Sequence, residues 1–124
     1  MQKAKDSKAD LIAVLLHMGT KFLHKPDNFQ QKWNKIFTEL GVDIILGDHA
    51  HAVQPIEFVN NNKTIIVNCP GNFANSYIKK DGDATAIIDL YIDKESKKLI
   101  GSSVILMYVY LSIKKRIFYS FTYL

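Results

Sequence analysis

Four histidines in a chain of 124 residues are few enough to examine one by one, and two of them stand a single residue apart in "LGDHAHAVQP", at His49 and His51. Neutral imidazole is a common ligand for zinc, iron, manganese or nickel, so a His-x-His pair directly after an apolar run raises metal chemistry. The pair alone also serves as an ordinary loop. A third imidazole, His17, closes the apolar run "LIAVLLH". Taken as extended backbone, His49 and His51 point to the same side, roughly 6.5 Å apart along the chain, within reach of one metal or two adjacent ones. His24 lies in a polar loop and is expected to be ordinary surface. Asp48 is read first as a turn residue after Gly47, with ligand or partner of His49 as the other roles. Gly71 and Asn72, in "NCPGNF", follow another apolar run and are expected at the same rim, as substrate-binding residues or simply as a turn. Cys69 is expected to be a small buried hydrophobe, with a fourth zinc ligand as its other reading.

The elements that must position these residues can be traced from the pattern. "LIAVLLH", followed by Gly19, predicts a strand buried on both faces. Asp27 and Gln30 form the pair expected of a capping box, and Gly41 supplies the stop of a helix. Within that helix Phe29, Trp33, Ile36, Phe37 and Leu40 fall on one face, which is read as core. "VDIILG" is a second short strand, so strand, helix, strand gives a parallel βαβ unit. A right-handed crossover would bring His17, His49 and His51 to one carboxyl edge, where open α/β sheets bind ligands. Downstream, "PIEFV" and "TIIVNC" flank the polar turn "NNNK", and "ATAIIDLYI" and the segment from near Leu99 flank "DKESKK", so two hairpins are expected. The expected fold is thus α/β, one βαβ unit followed by β-hairpins.

Composition bounds the rest. The chain is 48% hydrophobic and 23% charged, which is globular and not disordered. A net charge of +4 is mild and scattered. Its densest run, Lys114, Lys115 and Arg116 beside Phe118, Tyr119 and Tyr123, is read as a solvated terminus, with a single-stranded nucleic acid or a membrane surface as the weaker reading, so no nucleic acid partner is expected. One cysteine excludes an internal disulfide. The first ten residues lack the apolar core of a signal peptide. The apolar run at residues 99–113 falls short of the roughly 20 residues that cross a bilayer and is rich in strand formers.

"HMG" at His17, "GVDIILGDHAHAVQPIE" at residues 41–57 and "GNF" at Gly71 resemble, in order and spacing, the later half of the CapA-type poly-gamma-glutamate capsule-synthesis proteins of the calcineurin-like metallophosphoesterase superfamily. The resemblance spans about residues 10–110, after a polar segment 1–9 and before a basic and aromatic tail 111–124 of no assigned role. It implies a two-sheet sandwich carrying a site for two divalent metals, manganese, iron or zinc, with His17, His49 and His51 as ligands. Phosphoryl hydrolysis would be the chemistry. The superfamily's earlier motifs, an Asp-x-His, a Gly-Asp pair and an Asn-His, have no counterpart in this sequence. Met18 stands where the family usually has tryptophan and Lys21 where it often has an acid. The resemblance therefore implies a fragment with a partial site, inactive alone, that pairs with the absent half or with copies of itself. Location at the cell surface and attachment to a membrane would follow only from segments not present here. Two other readings stay open: a compact mononuclear zinc hydrolase using the three histidines, and a non-catalytic module that pairs with another chain through a sheet edge.

Overall fold

The computed structural model describes residues 1–73, 82–111 and 118–122. After a short N-terminal helix, α1 (Gln2–Asp6), the chain runs β1 (Ala13–His17), α2 (Asn28–Glu39), β2 (Ile44–Asp48), β3 (Ile56–Val59), β4 (Thr64–Val67), β5 (Ala84–Ile92), β6 (Leu99–Leu111) and β7 (Phe118–Thr122). Strands β1, β2 and β4 are parallel, β3 is antiparallel to β4, and the sheet order is β1-β2-β4-β3. A second, antiparallel sheet has the order β5-β6-β7. The α/β class, the βαβ unit and both hairpins therefore stand as expected. No helix among the described residues is long and apolar enough to cross a membrane.

The predicted caps of α2 form. The Asp27 carboxylate accepts the Gln30 amide at 2.9 Å, and the Gln30 side chain accepts the Asp27 amide at 3.1 Å. At the other end Gly41 donates to the Thr38 carbonyl and Val42 to the Phe37 carbonyl, the two bonds of a Schellman stop. Val42, Ile45 and Ile66 form the centre of the core, with Ile12, Val14, Leu16, Phe37 and Val59 packed around them. Each fully buried aliphatic side chain of this kind contributes about 1.5–3 kcal/mol.

Two expectations about burial are corrected. Strand β1 is not buried on both faces: it is the outer strand of its sheet, only its α2-facing residues are covered, and Leu15 on the other face is 79% exposed. Nor is the aromatic stripe of α2 the core. The helix buries Gln30 and Asn34 instead, and Phe29, Trp33 and Leu40 lie at the surface. The amides Gln30 and Asn34 form their own i, i+4 stripe, one position round the helix from the aromatics, and it is this stripe that meets the loops after β2 and β4. The Gln30 amide donates to Gln54 Oε1 at 2.8 Å, and Asn34 to Asn68 Oδ1 at 2.7 Å.

The tail with no assigned role also gains a partial assignment, since Phe118–Thr122 pairs with β6 as strand β7. The basic run at residues 114–116 lies outside the described residues, as does Tyr123.

Candidate metal centre

Parallel pairing of β1 with β2 sets His17 opposite Asp48 in register, at the carboxyl ends of both strands. His17 Nδ1 meets Asp48 Oδ1 at 2.5 Å. Asp48 is therefore not a turn residue: it is the last residue of β2, and it orients His17, not its neighbour His49. With Nδ1 engaged, His17 presents Nε2 outward, and His49 Nδ1 lies 2.9 Å from it. The two rings sit edge to face with centroids 4.5 Å apart.

His49 and His51 do not lie on extended backbone. Both are left-handed, with φ of 82° and 57°. Non-glycine residues in this region carry roughly 1–2 kcal/mol of strain each, and such strain gathers at functional sites. Between and after them Ala50 and Ala52 are wholly buried. Small residues that tuck inward at alternate positions thus leave the two imidazoles on the rim. His51 lies across from His49, ring centroids 6.3 Å apart, and stacks against Phe22 at 6.0 Å. Its Nδ1 meets Asn72 Oδ1 at 2.6 Å, while Asn72 donates to the Gly82 carbonyl at 2.7 Å and the His51 carbonyl at 3.3 Å. Asn72 is 6% exposed and holds His51 in place. Gly71 serves the backbone: at φ +85° it bridges to Thr85, and a Cβ there would meet the Ala84 carbonyl oxygen at 2.4 Å.

The remaining candidates separate clearly. His24 is exposed and directs Nδ1 toward the Val53 carbonyl at 3.3 Å. Cys69 is buried, 1% exposed, as a small hydrophobe would be. Lys21 is exposed, and Met18 lines an apolar surface cavity with Leu16, His17 and the aromatics of α2.

Beneath the site runs a buried amide network that sequence reasoning missed. Gln54 is 3% exposed and donates to the Leu23 and Lys25 carbonyls at 2.9 and 3.2 Å, fixing the loop that precedes α2. Asn68 donates to the Pro55 carbonyl and to Glu57 Oε1. The available signal was the glutamine of "VQPIE" standing among apolar and small residues, where a buried amide must find partners.

The donor set can be tested against a metal. His17 Nε2 and His49 Nδ1 face each other at 2.9 Å, a hydrogen-bond distance, and the pair would have to open to the roughly 3.3 Å that two nitrogens on a tetrahedral zinc, each at about 2.0–2.1 Å, require. His51 stands at the same rim with Nδ1 held by Asn72. Among the described residues no three His, Cys, Asp or Glu side chains stand close enough together to hold an ion. The residues fit a metal as a pair with a third donor at the rim, a partial set.

The family model "Bacterial capsule synthesis protein PGA_cap" matches residues 1–77, which include β1 to β4 and all three rim histidines. The chain belongs to this family. Among curated relatives of this PGA_cap chain, the PGA biosynthesis protein CapA of Bacillus subtilis (strain 168) is 35% identical over 65 residues, 52% of this chain and 17% of the relative. The Capsule biosynthesis protein CapA of Bacillus anthracis is 37% identical over 76 residues, 59% of this chain and 18% of the relative. The matched stretch thus spans under a fifth of either relative's length. No solved structure matches.

Proposed function

We propose that this PGA_cap chain carries the later histidine set of a metallophosphoesterase-type centre working in capsule polymer synthesis, and that by itself it is a partial, catalytically weak site. The observation that carries the reading is the facing pair His17 Nε2 and His49 Nδ1, 2.9 Å apart, with His17 locked from behind by Asp48. A carboxylate on the far nitrogen is the usual way a metal-binding imidazole is fixed in ring orientation and made more basic. The Asn72 clamp on His51 supports the same reading, since it fixes the ring at the rim.

His17 and His49 would hold a divalent ion of manganese, iron or zinc, with His51 at the same rim. When bound, such an ion supplies Lewis-acid polarisation of a phosphoryl oxygen and an acidified water. The chain's own contributions are separate. Asp48 keeps the His17 proton on Nδ1 and so leaves the Nε2 lone pair on the rim side, where it accepts from His49 Nδ1 and where an ion would take that proton's place. Asn72 holds His51 against Phe22, and the Ala50 and Ala52 packing keeps the loop from relaxing. Among the described residues, the carboxylate at this rim, Asp48, is already engaged with His17.

Elemental analysis of the purified chain after dialysis against zinc or manganese tests this, followed by hydrolysis of bis-p-nitrophenyl phosphate. The reading predicts at most one loosely held ion per chain and hydrolysis near the uncatalysed rate. Two tightly held ions with rapid turnover would show that the chain is a complete enzyme. A folded chain that takes up no ion at any concentration would remove the metal from the account.

A further inference from the structure

We infer that a lysine-lined cavity at the end of the first sheet opposite the histidines binds an anion that carries several carboxylates. The cavity, of about 610 Å³, opens where β1 and β2 begin, between the β3–β4 and β5–β6 turns. That volume lies within the roughly 300–1,000 Å³ of small-molecule pockets. Lys63 comes to it from one turn, Lys97 and Lys98 from the other. His17 stands at the far, carboxyl end of β1, so the two sites are separate.

Among the described residues Lys63, Lys97 and Lys98 have no carboxylate partner, whereas Lys35 on α2 reaches Glu39 at 3.9 Å. The lining sets these three cations against two carboxylates, Asp10 and Asp43, and Asp43 already accepts the Ile12 amide at 2.8 Å. A concave wall with an excess of positive charge draws anions. Which anion follows from the donors. Compact phosphate is held by converging backbone N–H groups or by the planar fork of arginine. Here the Ser96 amide is spent on the Asp93 carboxylate at 2.7 Å, the Lys97 amide on the Asp93 carbonyl at 2.9 Å and the Lys63 amide on the Asn60 carbonyl at 3.2 Å. None of the described lining residues is arginine. What remains are point charges on long stems, carried by two separate turns, and these suit carboxylates spaced along one molecule. The same hydrogen bonds fix both turns before any ligand arrives. The inference stands on this cavity and does not depend on a metal at the histidines.

Calorimetric titration of the whole chain with tricarballylate at low ionic strength tests it, with inorganic phosphate as the comparison anion and amide chemical shifts followed in both turns. Tricarballylate should bind saturably, more tightly than phosphate, and shift the amides of residues 61–63 and 96–99. Lys63→Gln, Lys97→Gln and Lys98→Gln should each weaken it by about two- to fivefold, the worth of one exposed charge contact. Asp10→Asn, which removes a like charge from the lining, should tighten it. Lys94→Gln takes the same charge from the β5–β6 turn at a position that does not line the cavity, and it should leave binding unchanged. Three results would overturn the inference: no saturable binding of tricarballylate to a chain that remains folded, an equal loss in Lys94→Gln, which would reduce the effect to net charge, or phosphate bound as tightly as tricarballylate, which would make this a site for compact anions.

Discussion

Asp48 Oδ1 and His17 Nδ1, on adjacent parallel strands, meet across a register pair at 2.5 Å, and this contact decides which nitrogen of His17 faces the rim. Replacing Asp48 with alanine frees the ring to flip and removes the acceptor that holds Nδ1. Loss of such an outer partner typically costs 10–100-fold in metal affinity. Asp48→Ala should therefore weaken zinc binding by about that factor with little change in thermal stability, because both side chains are largely exposed. Calorimetric titration beside a melting curve checks both halves.

Asn72 plays the matching part for His51. Asn72→Asp keeps an oxygen acceptor for His51 Nδ1 but loses the amide that donates to the Gly82 and His51 carbonyls, whereas Asn72→Ala loses both. Metal affinity should fall further in the alanine variant than in the aspartate variant. An equal loss in the two would mean that the amide, and not the contact with His51, carries the effect.

Gly47 lies where β2 passes the chain after β4, and a Cβ there would stand 2.1 Å from the Asn68 carbonyl oxygen. Backbone cannot retreat as a flexible side chain does. Gly47→Ala should destabilise by at least the 1–3 kcal/mol typical of overpacking. A urea midpoint unchanged from wild type would contradict the packing described here.

The start of α2 gives a pH prediction. The Gln30 amide, first, and the Thr20 hydroxyl bond the Asp27 carboxylate and hold its pKa below the usual aspartate value. A carboxylate lowered on folding stabilises the native state above the unfolded pKa, and that contribution is lost as pH falls through the folded one. Asp27→Ala should cost about 1 kcal/mol near neutrality. The gap from wild type should narrow in acid, as seen in unfolding midpoints measured from neutral pH downward.

Much of this was legible in the sequence because local chemistry carried it. Asp27, Gln30 and Gly41 announce the helix by their own hydrogen bonds, and "NNNK" and "DKESKK" announce the hairpin turns. The gathering of His17 with His49 followed from parallel pairing alone. What failed were judgements of which face is covered. The i, i+4 spacing of Phe29 and Trp33 is the same as that of Gln30 and Asn34, so periodicity names a stripe without saying which neighbour it meets. The amides won because the side-chain oxygens of Gln54 and Asn68 stand opposite them as acceptors. Likewise "LIAVLLH" reads as doubly buried only if both faces of its sheet are covered, and the face that carries Leu15 is open. The left-handed backbone of His49 and His51 leaves only a weak signature in residue type, since histidine enters that region more often than most side chains but far less often than glycine.

The central claim is that His17, His49 and His51 act as one site, and affinity of the chain for zinc across four single variants tests it most directly. His17→Ala, His49→Ala and His51→Ala should each lower the affinity, with the first two lowering it most because their nitrogens face each other at 2.9 Å, and His24→Ala should leave it at the wild-type value. Equal losses from all four, or no loss from His17→Ala and His49→Ala in folded protein, would contradict it.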